Sequence, residues 1–162
     1  MTPKISATIP DWSREHKGTL AWSPGQPLLP PIRAYERCRW ATRKVAVLRH
    51  RFWSIVCGAD IPINCRIGGG LLIPHPNGIV IHPDAVIGPN CLIFQQVTIG
   101  TRDGVGVPVI GGHVDVGAGA RILGAIQIGD HAKIGANAVV VTDVPDQAVA
   151  LGVPAKVVIP TR

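Results

Sequence analysis

The chain has 162 residues, the length of one domain, and a net charge of +6. Aromatic residues are only 4%, while glycine and proline number 19 and 15, which disfavours a conventional globular core and suits stacked aliphatics with frequent turns. No apolar run is long enough for a membrane-spanning helix, and Met1 to Ser6 lack the apolar segment of a signal peptide, so neither a span nor export is expected.

Residues 1–27 read as irregular, with Pro3, Pro10, Pro24, Gly25 and Pro27. Pro30 and Pro31 suit the first turn of a helix. Ile32, Tyr35, Val45, Leu48, Phe52 and Val56 then recur at helical spacing, and Gly58 is the expected stop. Arg33, Arg37, Arg43, Lys44, Arg49 and Arg51 cover much of the remaining surface. Residues 1–57 hold ten Lys/Arg against three Asp/Glu; the rest hold six against seven. Such a segment can attract nucleic acid, anionic lipid or an acidic polymer. Its plainer reading is a solvated helix face. No aromatic-interleaved basic motif supports nucleic-acid binding. The helix is expected to cap an adjoining repeat or meet a partner subunit rather than a membrane. Residues 1–58 therefore form one unit and 59–162 another.

A six-residue beat follows. It runs Ile61, Ile67, Ile73, Ile79, then Ile81, Ile87, Ile93, Ile99, then Ile110, Val116, Ile122, Ile128, Ile134, Val140. Hexapeptide periodicity points to a β-helix, and coils of roughly 18 residues make residues 59–142 between four and five coils. The beat breaks twice. Ile79 to Ile81 is a two-residue offset, and Ile99 to Ile110 is five residues longer than one hexad. The excess lies in Thr101–Pro108, and loops inserted in a solenoid often form its binding face. Thr142–Asp146 reads as a turn, and Gly152–Lys156 leads into a short tail. The four cysteines, Cys38, Cys57, Cys65 and Cys91, lack zinc-type spacing and read as free thiols in a reducing cytoplasm.

The stretch Asp60–Val158 resembles the serine acetyltransferase-like branch of the hexapeptide-repeat acyltransferases. The strings that carry the likeness are Asp60-Ile61-Pro62, His75-Pro76-Asn77-Gly78-Ile79-Val80, Gln96-Val97-Thr98-Ile99-Gly100, Gly117-Ala118-Gly119-Ala120-Arg121-Ile122-Leu123-Gly124, Lys133-Ile134-Gly135-Ala136 and Gly152-Val153-Pro154-Ala155-Lys156. The resemblance implies a left-handed parallel β-helix, a homotrimer, and acetyl-CoA as donor. One kind of enzyme in this branch acetylates the hydroxyl of L-serine. Another acetylates sugar hydroxyls of bacterial exopolysaccharides or their precursors.

His75 matches the family's catalytic histidine. A positioned imidazole can take the proton from a hydroxyl as it attacks a thioester. The alternative is a turn histidine that only bonds a carbonyl. Asp60 matches the dyad aspartate and lies fifteen residues earlier, nearly one coil, so it is expected beneath His75, orienting the imidazole. Its other reading is a turn or capping residue. The N–H of Gly100 is a candidate donor to the developing oxyanion, or Gly100 is an ordinary hexad glycine. Ala118 and Ala136 match positions near the pantetheine arm. Lys133 and Lys156 are candidate phosphate partners or solvated charges. Thr101 is grouped with these donor-binding residues. His82 and His113 read as surface turn histidines. With His75 they raise a zinc alternative like that of the γ-class carbonic anhydrases, whose spacing they do not share, and no metal is expected.

The departures concern the acceptor. Serine-specific members carry an aspartate before the catalytic histidine, where this chain has Pro74. They carry Arg-His-Pro in the long loop, where this chain has Gly106-Val107-Pro108. Arg102 and Asp103 are the only nearby substitutes. The helical domain that joins trimers into hexamers is mostly absent. The expectation is therefore direct acetyl transfer in a cleft between subunits to a sugar or polysaccharide precursor. L-serine is the alternative acceptor, and a non-enzymatic trimeric scaffold is the alternative of another class.

Overall fold

The computed structural model describes residues 5–15, 25–37 and 40–160. Cys38 and part of the irregular N-terminal stretch lie outside the described residues.

Three parallel faces wind around one aliphatic core. The first face stacks β1 (Arg66–Ile67), β3 (Val86–Ile87), β6 (Val109–Ile110) and β9 (Gln127–Ile128). The second stacks β4 (Leu92–Ile93), β7 (Asp115–Val116), β10 (Lys133–Ile134) and β12 (Val149–Leu151). The third stacks β2 (Val80–Ile81), β5 (Thr98–Gly100), β8 (Arg121–Leu123) and β11 (Val139–Val140). Isolated bridges at Asp60, Leu72 and Val144 complete the rungs, giving five coils. The solenoid outruns the expected end at residue 142: Val144 and Ala150 carry the last coil, and β13 (Lys156–Val158) folds back antiparallel on β12.

The hexad positions point inward. Ile87, Ile93, Ile99, Ile110, Val116, Ile122 and Ile128 are all buried. Each such side chain contributes about 1.5–3 kcal/mol of burial. Register explains both breaks in the beat. Ile99 pairs with Ile122 across a lengthened coil, and Ile122 with Val140 across a regular one. On the first coil Asp60 pairs with Val80, so that coil is two residues longer than a regular one. Ile79 is therefore not a rung; it fills the corner below Val97, and Ile81 is the rung. The two extra residues fall in the corner that holds His75.

Corners join the faces in a fixed order. The corner from first to second face repeats a left-handed residue at Gly70, Asn90, His113, His131 and Gln147. Asn90 is buried there and binds the N-terminal segment. Its Nδ2 donates to Ser6 O and Ile9 O at 2.7 Å, and its Oδ1 accepts from the Asp11 N–H at 2.7 Å. Residues 5–15 thus strap one corner, irregular as far as Asp11 and closing in a single 3-10 turn at Trp12–Glu15.

Two helices close the lower end, where the sequence suggests one. α1 (Leu29–Arg37) begins with Pro30 and Pro31 in its first turn, and α2 is Trp40–Cys57. α2 stops as expected. Gly58 takes φ 61°, its N–H donates to Ile55 O, and the Ala59 N–H donates to Ser54 O, a left-handed C-terminal cap.

The faces of these helices differ from expectation in two ways. Arg33 is not on a solvated face. It is buried against Glu15 at 2.8 Å, and its guanidinium donates to Ile67 O at 2.5 Å and Gly68 O at 2.7 Å. The Gly70 N–H donates to the same Glu15 carboxylate at 2.8 Å. This pair closes the open edge of β1, whose backbone carbonyls would otherwise lack partners. On α2 the packed side is Ala46, His50, Trp53 and Cys57. Val45, Leu48, Phe52 and Val56, expected to pack, are exposed.

Cys57, Cys65 and Cys91 are buried. Burial pushes the Cys65 thiol up to about 12 and Cys91 to about 11. They act as small apolar core residues rather than nucleophiles.

Candidate active site

The corner from second to third face carries the donor-side residues in line. His75 sits on the first coil, exposed, in the two-residue extension. Above it come Gln95 and Gln96, then Ala118, then Ala136, then Gly152–Ala155, linked coil to coil by backbone bonds. The Asn137 N–H donates to Ala118 O at 2.8 Å, so Ala118 and Ala136 stack as expected. Ala118 is half-buried and Ala136 exposed, and their short side chains leave the backbone open to a ligand. Lys133 and Lys156 are exposed on the adjoining second face, beside Val149 and Leu151.

Asp60 borders this corner but does not lie under His75. It stands one coil below Val80, donating its N–H to Ile79 O at 2.8 Å and accepting from the Ile81 N–H at 2.9 Å. The extra residues of the first coil are the reason: a fifteen-residue spacing falls five short of a full turn there. No hydrogen bond or ion pair joins the two side chains among the described residues. The charge of Asp60 is felt instead by His50 of α2. Burial lowers the His50 pKa, and its bond to the Ile61 backbone and Asp60 oppose that shift.

Gly100, Thr101, Arg102 and Asp103 occupy the other corner, at the far end of the third face. A Cβ on Gly100 would meet nothing within 4 Å, so the space on that side is open, but its backbone lies in the β5–β8 ladder, paired with Leu123 and accepting from the Gly124 N–H at 2.9 Å. The inserted loop is a tight hairpin. Arg102 bridges Val105, whose N–H donates to Arg102 O at 3.0 Å, and Asp103 and Gly104 take φ 53° and 74°. Positive φ at both central residues makes this the Asp-Gly turn that matches strand twist. Arg102 and Asp103 face each other across 3.7 Å, exposed. Exposed pairs of this kind hold about 0–1 kcal/mol and open readily to a ligand. One chain therefore does not bring Gly100 to His75.

His82 is a turn residue. Its Nδ1 accepts from the Asp84 N–H at 3.2 Å. His75, His82 and His113 stand on three different corners, and no cluster of three metal-ligating side chains occurs among the described residues. His113 is not a plain surface histidine: its Nδ1 lies 2.9 Å from Nδ1 of His131, one coil above. Burial lowers the His113 pKa, opposed by Asp115 and reinforced by His131. A base whose folded pKa lies below its ordinary value near 6.5 stabilises the fold above that value and loses the contribution as pH falls. The unfolding midpoint should therefore drop on acidification from about pH 7 to about pH 5. His113→Asn should flatten part of that drop, since asparagine already fills left-handed positions at Asn90 and Asn137. An unchanged slope in thermal melts would exclude the pair as its source.

Gln95 was not singled out by sequence reasoning. Its Oε1 is buried without a hydrogen-bond partner, one coil above His75. A signal existed: two glutamines stand where the same corner elsewhere reads Ala118-Gly119 and Ala136-Asn137.

Fold and site together define a hexapeptide-repeat solenoid with an imidazole at the foot of a small-residue corner. No protein-family model matches the chain. The serine acetyltransferase of Mycobacterium tuberculosis is 42% identical over 119 residues, covering 72% of this chain and 52% of its own length. Soybean serine acetyltransferase complexed with serine is 40% identical with TM-score 0.70, covering 83% of this chain and 56% of that one. A serine acetyltransferase in complex with CoA is 36% identical with TM-score 0.70 over the same shares. The chain belongs to the serine acetyltransferase-like hexapeptide-repeat acyltransferases, and its solenoid is a left-handed parallel β-helix. It spans about half the length of the curated relatives it matches.

Proposed function

We propose that the chain is an acetyl-CoA-dependent O-acetyltransferase, with L-serine as the acceptor that its relatives favour. The observation that carries this reading is the single corner on which His75, Ala118, Ala136 and Gly152–Ala155 stand in line. Rungs are about 4.8 Å apart, so this corner runs ~19 Å from first coil to fifth. That suits an extended pantetheine arm with its thioester at His75. Lys133 and Lys156, near the upper end, supply charge for the nucleotide phosphates.

His75 takes the proton of the acceptor hydroxyl as its oxygen attacks the thioester carbonyl carbon. The oxyanion then collapses, the C–S bond breaks, and the imidazolium returns the proton to the departing thiolate. Holding both substrates side by side supplies much of the acceleration. Asp60 borders the same corner; catalytic hydrogen bonds are often long in ligand-free enzymes and tighten with substrate. The candidate oxyanion donor Gly100 and the loop residues Thr101, Arg102 and Asp103 lie on another corner. A site that uses both corners needs two copies, which favours the homotrimer.

A second reading, a sugar hydroxyl, rests on one observation. Pro74 and Val107 supply no charge for an amino acid's ammonium and carboxylate, and Arg102 and Asp103 pair with each other. Against it, the relatives compared above bear serine acetyltransferase names, and none supports polysaccharide synthesis.

Thiol release from acetyl-CoA should be measured with L-serine and with a panel of sugars and nucleotide sugars. Robust turnover with L-serine is the expected result. Turnover with a sugar alone would move the acceptor to the second reading. A ligand that binds the fold raises its melting temperature by mass action. No turnover, together with no shift at millimolar CoA, would leave the scaffold.

A further inference from the structure

We propose that the outer face of α2 docks the protein on an anionic lipid surface. Val45, Leu48, Phe52, Ile55 and Val56 recur at helical spacing and form one stripe along α2. All are exposed, Leu48 by 72% and Ile55 by 82%. The opposite side of the helix is the buried one, with Ala46 and His50 buried and Trp53 and Cys57 packed on the core, so the stripe is not needed to hold the fold.

Charge identifies the occupant. Arg51 flanks the stripe on one side and Arg49 on the other, both exposed, and α2 contains no acidic residue. Two copies of α2 packed face to face would set these cations against one another with no carboxylate on either helix. A bilayer of acidic lipids offers the reverse: apolar depth for the stripe and negative headgroups for its flanks. No described helix is long and apolar enough to cross a membrane, so α2 would lie in the surface plane. This inference does not rest on acetyl transfer, and its test uses no substrate.

The test is co-sedimentation of the full chain with vesicles of phosphatidylcholine containing about 30% phosphatidylglycerol, against phosphatidylcholine alone. Binding to the anionic vesicles should weaken as salt rises from about 0.1 to about 0.5 M. The Leu48→Glu/Phe52→Glu double variant should lose at least ~10-fold in partitioning while keeping its circular dichroism spectrum and melting temperature. Arg49→Gln/Arg51→Gln should lose the salt-sensitive part of binding. The proposal fails if the parent ignores anionic vesicles or binds both kinds equally. It also fails if the Leu48→Glu/Phe52→Glu protein sediments like the parent. A smaller particle mass for that variant, without vesicles, would assign the stripe to a second copy instead.

Discussion

His75→Ala should lower turnover by at least ~10²-fold and leave the melting temperature and oligomer mass unchanged. A hydroxyl is a weak nucleophile near neutrality, and general-base assistance is typically worth ~10²–10⁴-fold. Imidazole is the side chain whose ordinary pKa suits that task. The side chain of His75 is exposed on an extension of the first coil and makes no hydrogen bond with any described residue, so its removal costs no packing. A companion variant separates the base from its surroundings. Asp60→Asn should cost less turnover than His75→Ala and should move the acidic limb of the pH–rate profile if Asp60 orients the imidazole when substrate binds. An Asp60→Asn enzyme with an unaltered profile would leave Asp60 a bridge residue for Val80. Unchanged turnover in His75→Ala would remove the imidazole from the mechanism.

The second large effect falls on stability. Arg33→Ala should destabilise the fold by about 3–5 kcal/mol, because it leaves the buried carboxylate of Glu15 without its cation. It also takes the donor away from two carbonyls at the open edge, those of Ile67 in β1 and of Gly68 just after it. The double variant Arg33→Met/Glu15→Gln should recover part of the loss, since a neutral pair demands no compensating charge. Thermal melts at one fixed protein concentration would measure both. If the single change costs less than about 1 kcal/mol, the edge is closed by something other than this pair.

Much of the solenoid was legible because one inward residue per six leaves a period that survives every surface change. Even the interruptions could be read: the offset at Ile79–Ile81 and the excess at Thr101–Pro108 are the two places where the register lengthens. The positions of side chains across coils were less legible. Asp60 was expected under His75, but the extension around His75 and Pro76 carries it to Val80 instead. On α2 both sides carry apolar residues, so periodicity alone chose the larger set; the buried side carries the small Ala46 and the flat rings of His50 and Trp53. The Arg33–Glu15 contact joins residues eighteen apart in sequence, and no periodic pattern announces such a pair. The corner strap held by Asn90 is hidden for the same reason.

The corner above His75 behaves as a ruler. Its coils repeat at one rung spacing, so the count of coils sets how far His75 lies from Lys133 and Lys156. Inserting one whole hexad triplet between the third and fourth coils would preserve every inward contact and lengthen that distance by about 4.8 Å. A ligand with an arm of fixed length would then reach either His75 or the lysines, not both. Coil number would thus select among donors by reach, independently of any side chain that touches them.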